Sequence, residues 1–583
     1  MKIELAKHSG FCIGVRNAVT RIVEEINNCN EEIFIHGSLI HSPQTVSILE
    51  KRGLKIITDN ESIENKITAI RTHGTTKQQY TEIKKHAKKI INLTCPNVAY
   101  VHATVKKYSG KGYFVIILGD KNHSEVQGIS SYASNGFFIV SNSDDIFKIP
   151  KADKYVLVCQ TTLDIDFFNK ISAILQKKLK NIEIINTICA ATNDRQNDLH
   201  QAVKSGVDAI IVVGGKNSAN TKRLAQIGLD NNIRTFHIET EDEINPDDFI
   251  GIEHIIVSAG ASTPSWIVNN VLEKIYSIKY RNKQHFFFLL KSFIEFIIRT
   301  NIFSAFITLF MTAAVLPDYI RKYDMSMPFL SSAFIFIMYS INNFFRPYEM
   351  QLTKPYKYNL YTRYKHLLIT LTILAGLYFL IFSQAIGYPA SVIYLIVFVS
   401  GFFYAIPSIT KIVSTNRIKY LRTLFGIKAV VTSLGWAFIA LIIPFIVYPH
   451  DYLQFSATFI IIITILFIRN VLIDLIDYQG DLLLGIETLI TILGLRKTKF
   501  VIIALCLFFT ASVFYHIYFI NFLAILYILN IAYYYYLYKQ IKVNYYFYRF
   551  KYEALIDLNL LLFAIISILC TLYKAPTISL LIH

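Results

Sequence analysis

Two fold classes are predicted for this 583-residue chain: a multidomain α/β enzyme in its first half, and an all-α polytopic membrane bundle of about nine helices in its second. Three observations predict them. Short β-branched runs alternate with helical patterns up to about residue 282. From HFFFLLKSFIEFIIRT onward the sequence is apolar almost to its end. The 53% hydrophobic content is too high for a soluble protein, yet the first half has ordinary polarity. The expected divisions are a soluble domain over 1–282, a basic juxtamembrane linker over 283–300 and a membrane domain over 301–583.

In the soluble half EEIFIHG, KITAIRTHG, GYFVIILGD, KYVLVCQ, DAIIVVGG and HIIVSAG read as strands, each followed by polar residues and a helical stretch. Continuous apolar runs of this kind mark buried parallel strands. Such sheets put ligands in the crevice at their carboxyl ends. That is where the unusual residues fall: His73-Gly74 after one strand, His123 after another, and the loop from Gly214 to Ser218 after a third.

Cys12, Cys95 and Cys189 lie one in each third of this half, in GFCIGV, LTCPN and TICAATNDRQ. No close CxxC pair suggests a zinc ribbon. Three separated thiolates suit a metal cluster where three similar domains meet, with one iron left open. Each taken alone is as easily an ordinary buried cysteine. Cys29, Cys159, Cys506 and Cys570 are read as ordinary ones. His41, His73 and His123 sit in or before turns, and Ser218 and Asn220 open an expected helix. Ser262, in SAGASTPSWIV, repeats the arrangement. Donors at helix N-termini make an anion site, and several together suit a diphosphate. Zinc is the weaker reading, since no HxxxH pair occurs.

In this order GFCIGV, GSLIH, THG, TCP, the HxEV segment, QTTL, the C-x-A-T segment, VVGGKNSAN and SAGAS resemble the LytB/IspH family of 4-hydroxy-3-methylbut-2-enyl diphosphate (HMBPP) reductases. The resemblance implies an α/β trefoil of three similar domains around a [4Fe-4S] cluster held by Cys12, Cys95 and Cys189. It implies that His41, His73, His123, Ser218, Asn220 and Ser262 bind the diphosphate. Glu125 would relay protons, and Thr161 would orient substrate and water. The products would be isopentenyl and dimethylallyl diphosphate, with electrons from a donor such as ferredoxin or flavodoxin. Two departures stand out: Ser218-Ala219-Asn220 where the family often has Ser-Ser-Asn, and His123-Ser124-Glu125 where it commonly has His-Pro-Glu. Neither removes a ligand or the acid. The lost hydroxyl is worth ~0.5–1.5 kcal/mol at most.

In the second half, apolar spans of bilayer length centre near residues 308, 337, 376, 400, 437, 462, 509, 529 and 565. Basic loops alternate with uncharged ones, which predicts a multi-pass protein of the cytoplasmic membrane with its N-terminus and soluble half in the cytoplasm. MKIELAKHSGFCIGV lacks the apolar core of an export signal, in agreement. This placement absorbs the net charge of +17, so nucleic acid is not the expected partner. Asp474, Asp477 and Asp481 form a DxxDxxxD series whose carboxylates share one helix face. Three such acids can hold Mg²⁺, which in turn binds diphosphate; a solvated helix end is the plain alternative. This half resembles the UbiA superfamily of intramembrane prenyltransferases. Its second Asp motif is followed by the usual Gly485, Thr488, Leu489 and Gly494. Its first reads Asn342-Asn343-Phe-Phe-Arg346, with only Glu349 nearby. The resemblance implies a prenyl diphosphate and a lipophilic acceptor as partners; at the departure from the first motif, either Arg346 contacts the diphosphate in place of a metal or the site is impaired. Two rivals remain at this point: a membrane half that is only an anchor or lipid-binding module, and a soluble half that is an Fe–S redox sensor.

Overall fold

The structure, a computed structural model, describes residues 1–29, 31–58, 61–281, 285–316, 324–388, 390–405, 411–414, 417–420, 428–449, 452–486, 488–515, 521–541 and 549–572. Two units divide at Lys279 and Tyr280. Residues 283–284, much of the basic loops at 410–422 and 539–551, and the side chains of Cys506 and Cys570 lie outside the described residues.

The first unit contains three four-stranded parallel sheets. Its strands are β1 (Lys2–Leu5), β2 (Ile33–His36), β3 (Leu54–Ile57), β4 (Ile67–Ile70), β5 (Lys89–Asn92), β6 (Phe114–Leu118), β7 (Phe137–Val140), β8 (Tyr155–Cys159), β9 (Ile182–Ile184), β10 (Ala209–Val213), β11 (Arg234–Ile238) and β12 (His254–Ala259). The sheet orders are β3-β2-β4-β5, β7-β6-β8-β9 and β11-β10-β12-β1. Each has the same plan: its first and third strands in chain order are central, its second and fourth lie at the edges. The third sheet borrows β1 from the start of the chain as its fourth strand, so the unit closes on itself.

The six runs read as strands from the sequence are the six central strands. The six edge strands were not read. The reason is burial. β8 and β10 are buried along their whole length, whereas β3, β5 and β9 alternate with exposed positions. Helices cover the sheets through apolar faces, as where Phe168, Ile171 and Leu175 pack on Ile116, Leu118 and Leu157. Each such side chain contributes about 1.5–3 kcal/mol by leaving water. Cys159 belongs to this core, bonded to Thr187, and burial pushes its thiol up to about 11. Cys29, expected to be buried, is half-exposed, because it terminates the helix Ile13–Asn28.

The second unit is helical apart from one short antiparallel pair, Lys411–Ser414 with Arg417–Tyr420. Every expected span centre lies in a described helix. Among the described residues five helices are long and apolar enough to cross a membrane: Ser326–Phe344, Lys365–Ala385, Lys428–Val447, Thr458–Leu484 and Phe550–Leu569. A sixth counts if Leu289–Arg299 and Ile302–Val315, bent by 70°, make one span. About nine were expected; Ala390–Ala405 is too short to qualify, and the side chains of much of Leu489–Tyr515 and Asn521–Gln540 lie outside the described residues. The span from Lys428 passes through a π-turn, Phe438–Ile442, ahead of Pro444, which cannot join a regular ladder. Inside the bundle Arg469 pairs with Asp557 at 2.8 Å and lies over the Trp436 ring, so this buried charge is matched.

Candidate active site

The three-fold plan of the sheets decides where the polar residues go. Five residues past each first strand stand His41, His123 and Ser218, each at or one before the N-cap of the following helix. Just past each third strand stand Thr72-His73, Thr161-Thr162 and Ala261-Ser262. Past each fourth strand, at the helix N-cap itself, stand Cys95, Cys189 and Cys12. One backbone bond recurs in all three copies: the N–H of Cys95, Cys189 and Cys12 donates to the carbonyl of Thr72, Thr161 and Ala261, at 3.0, 2.9 and 3.0 Å. All of these residues line one cavity, together with Asn97, Thr192 and Asn220.

Three histidines crowd one side. Ring centroids are 4.7 Å apart for His41 and His73, 5.6 Å for His73 and His123, and 6.2 Å for His41 and His123. Burial, then His123 and Arg71, lowers His41 to about 4. Burial and the neighbouring histidines hold His73 well below the usual histidine range, and burial lowers His123. The imidazoles are therefore neutral near pH 7.

Glu125 sits behind this wall, fully buried. Its Oε1 accepts from the Thr161 N–H at 2.7 Å. Burial raises its pKa, and the Thr161 bonds oppose that shift. Its Oε2 is 4.0 Å from His73 Nδ1. That is too long for a hydrogen bond, and with a neutral ring it is no ion pair. Oε2 has no hydrogen-bond partner, nor do His41 Nε2, His73 Nε2 or either amide atom of Asn220. Buried polar atoms are normally satisfied, so this concentration around one cavity marks a place for a polar ligand.

The thiols fit a cluster rather than a single ion. Among the described residues no three His, Cys, Asp or Glu converge closely enough for one ion. Thiols spaced around a cavity, each at a helix N-terminus, suit a cluster that has width of its own. Burial, with Cys12 and Cys189 nearby, raises Cys95.

Several contributors were not singled out from the sequence. A Cβ on Gly14 would lie 2.6 Å from Cys95 Sγ and 3.9 Å from Cys12 Sγ. Asn97 Nδ2 donates to Cys189 Sγ at 2.9 Å. Arg195 is buried and donates to Gly10 O and Ala191 O, tying the Cys12 loop to the helix that Cys189 opens. Gly215 allows close approach: a Cβ there would lie 2.7 Å from His41 O. The segments that hold them, GFCIGV, LTCPN, TICAATNDRQ and VVGG, were visible in advance, without these roles.

In the second unit Asp474, Asp477 and Asp481 are buried on one face of the helix Tyr452–Leu484. Asp474 Oδ1 and Asp481 Oδ2 are 2.6 and 3.2 Å from Lys428 Nζ, and Asp477 Oδ2 is 2.6 Å from Lys354 Nζ. Asn343 donates to the Tyr361 hydroxyl at 2.8 Å and to Asn301 Oδ1 at 3.1 Å, and Arg346 lies 3.3 Å from Glu349. Asn342 lines an apolar cavity of about 550 Å³ with Tyr339, Thr432 and Trp436.

The chain matches the LytB protein family over residues 3–276. It is 38% identical to the 4-hydroxy-3-methylbut-2-enyl diphosphate reductase of Alkaliphilus oremlandii, over 48% of this chain and 100% of that protein. It is 39% identical to the reductase of that name from Geobacter sulfurreducens, over 48% and 100%. Among solved structures, the E-1-hydroxy-2-methyl-but-2-enyl-4-diphosphate reductase of Plasmodium falciparum aligns with a TM-score of 0.45 and 29% identity, over 47% of this chain and 87% of that one. A UbiA homolog from Archaeoglobus fulgidus, solved with GPP and Mg²⁺, aligns with a TM-score of 0.35 and 12% identity, over 47% and 99%. That likeness is too weak to carry an argument.

Proposed function

Because the chain belongs to the LytB family and is a 4-hydroxy-3-methylbut-2-enyl diphosphate reductase, we propose that its cavity binds HMBPP and removes the allylic hydroxyl as water, consuming two electrons and two protons. The family implies an iron–sulfur cluster. We assign its ligation to Cys12, Cys95 and Cys189, and in the [4Fe-4S] form it would supply the electrons and a Lewis-acidic iron. The observation that carries this reading is the gathering of unsatisfied buried donors and acceptors around the cavity those cysteines share.

The chain's own residues do the rest. His41, His73 and His123 offer N–H donors, and their positive charge grows as the diphosphate enters and favours protonation. Ser218, at a helix N-cap, together with Asn220 and Ser262, offers neutral donors to the same cavity. Glu125, whose pKa burial raises, is placed to supply a proton for the departing hydroxyl. Thr161 fixes Oε1, so Oε2 is the atom left to carry that proton. These groups serve turnover on a diphosphate, which a redox sensor has no need of. The test is direct: anaerobically purified protein, given HMBPP and a chemical reductant, should release isopentenyl and dimethylallyl diphosphate. A protein that carries the cluster but yields neither product refutes the reading.

For the second unit we propose a tether that keeps the reductase at a bilayer. Its long apolar helices support that reading. Prenyl transfer would require Mg²⁺ on Asp474, Asp477 and Asp481. Those carboxylates, met by Lys428 and Lys354, do not fit that ion, and no transfer step is derived. Cells expressing the chain without residues 290–583 should hold active reductase in the soluble fraction, whereas the full chain stays with the membranes. Full chain recovered in the soluble fraction would rule the tether out.

A further inference from the structure

We propose that Lys428 and Lys354 stand in the membrane unit where divalent cations would stand, so that the acidic face of Tyr452–Leu484 is neutralised from within and binds no Mg²⁺. The inference does not depend on the reductase reading. Asp474 and Asp481 are seven residues apart on one helix, about 10 Å along its axis. A Mg²⁺ held by carboxylates of one helix completes its shell with waters, a substrate phosphate or oxygens from facing segments. The segment that should supply them, around Asn342, Asn343 and Arg346, has one carboxylate, Glu349, and that one lies against Arg346. The Asn343 amide already donates to Tyr361 and Asn301.

What does reach the acidic face is ammonium. Lys428 bridges Asp474 and Asp481 from the start of the helix Lys428–Ala437, and Lys354 reaches Asp477 from the junction of Pro347–Thr353 and Pro355–Arg363. Mg²⁺ demands near-octahedral oxygens at short range and gives up its waters reluctantly. To enter, it would have to displace an ammonium held at 2.6 Å and leave that half-buried charge without its partner. Asp474 Oδ2 is a buried acceptor with no hydrogen-bond partner, and a diphosphate arriving without metal would meet that oxygen. The arrangement therefore acts as a clamp. It pins the segments carrying Lys354 and Lys428 to the central helix, a task elsewhere given to an ion.

The test uses the full chain in lipid nanodiscs and Mn²⁺ as the probe, followed by electron paramagnetic resonance. Wild type and the Asp474→Asn/Asp477→Asn variant should bind the same small amount of Mn²⁺, and the melting temperature of the wild-type membrane unit should not move with Mg²⁺ or EDTA. Lys428→Gln should melt lower than wild type, and Mg²⁺ should now raise its melting temperature. One extra Mn²⁺ per wild-type chain relative to the aspartate variant overturns the proposal. So does a Mg²⁺-dependent rise in wild-type melting temperature, which needs no variant to fold.

Discussion

Gly14→Ala adds one methyl group and removes no ligand. The new Cβ would sit 2.6 Å from Cys95 Sγ. Carbon contacts become comfortable near 3.5 Å, so the sulfur or the helix must retreat by roughly 0.9 Å. Overpacking of this kind costs about 1–3 kcal/mol. Against it, alanine in place of glycine inside a helix gains about 1 kcal/mol, and Gly14 is the second residue of Ile13–Asn28. The two terms nearly cancel in the metal-free protein, whose melting temperature should stay within several degrees of wild type. They do not cancel for the metal. Ligand constellations must be held within about 0.5 Å, and the displaced thiol exceeds that. Iron per chain, measured after anaerobic reconstitution together with the visible absorption band, should fall several-fold, and turnover with it. A variant with full iron and wild-type turnover refutes the geometry that sets Gly14 against Cys95.

Cys95→Ser should abolish the absorption band and the activity together; full iron content and activity would remove Cys95 from the ligand set. Glu125→Gln keeps shape and cluster but loses the carboxyl proton. HMBPP should still bind while kcat falls about 10²-fold or more, and unchanged kcat would place the acid elsewhere. His41, His73 and His123 have pKa values below 6.5 in the free site. The native state therefore binds fewer protons than the unfolded state as pH falls from 6.5 toward 4, and stability is lost in that window. Diphosphate favours the protonated rings, so HMBPP binding near pH 7 should take up protons. Calorimetry in buffers of different ionisation enthalpy reads that uptake, and none detected would mean that the histidines bind as neutral donors.

Much of the site was legible because its chemistry-bearing residues are rare types in loops after apolar runs. Cys12, Cys95, Cys189, the three histidines, Ser218, Asn220 and Ser262 were named from motif and spacing, and the structure brings them to one cavity with Thr161 on its wall and Glu125 behind it. Gly14, Asn97 and Arg195 were not named. A glycine that avoids a sulfur, an amide that bonds one and an arginine that ties two loops act across 81, 92 and 185 residues of sequence, and nothing local records such a contact.

The same physics separates the strands. A central strand is buried on both faces, so AIIVV at β10 and YVLVC at β8 carry continuous apolar runs that a reader of sequence sees at once. An edge strand such as IEI at β9 carries no such demand. It is a strand because a neighbour offers it a ladder. In the membrane unit the sequence by itself determined the apolar spans and the spacing that sets three aspartates on one helix face. What faces those aspartates was settled only by tertiary structure. Lys354 and Lys428 lie 123 and 46 residues before the acids they first meet, and a charge gives no sign in sequence of which opposite charge the fold will carry to it.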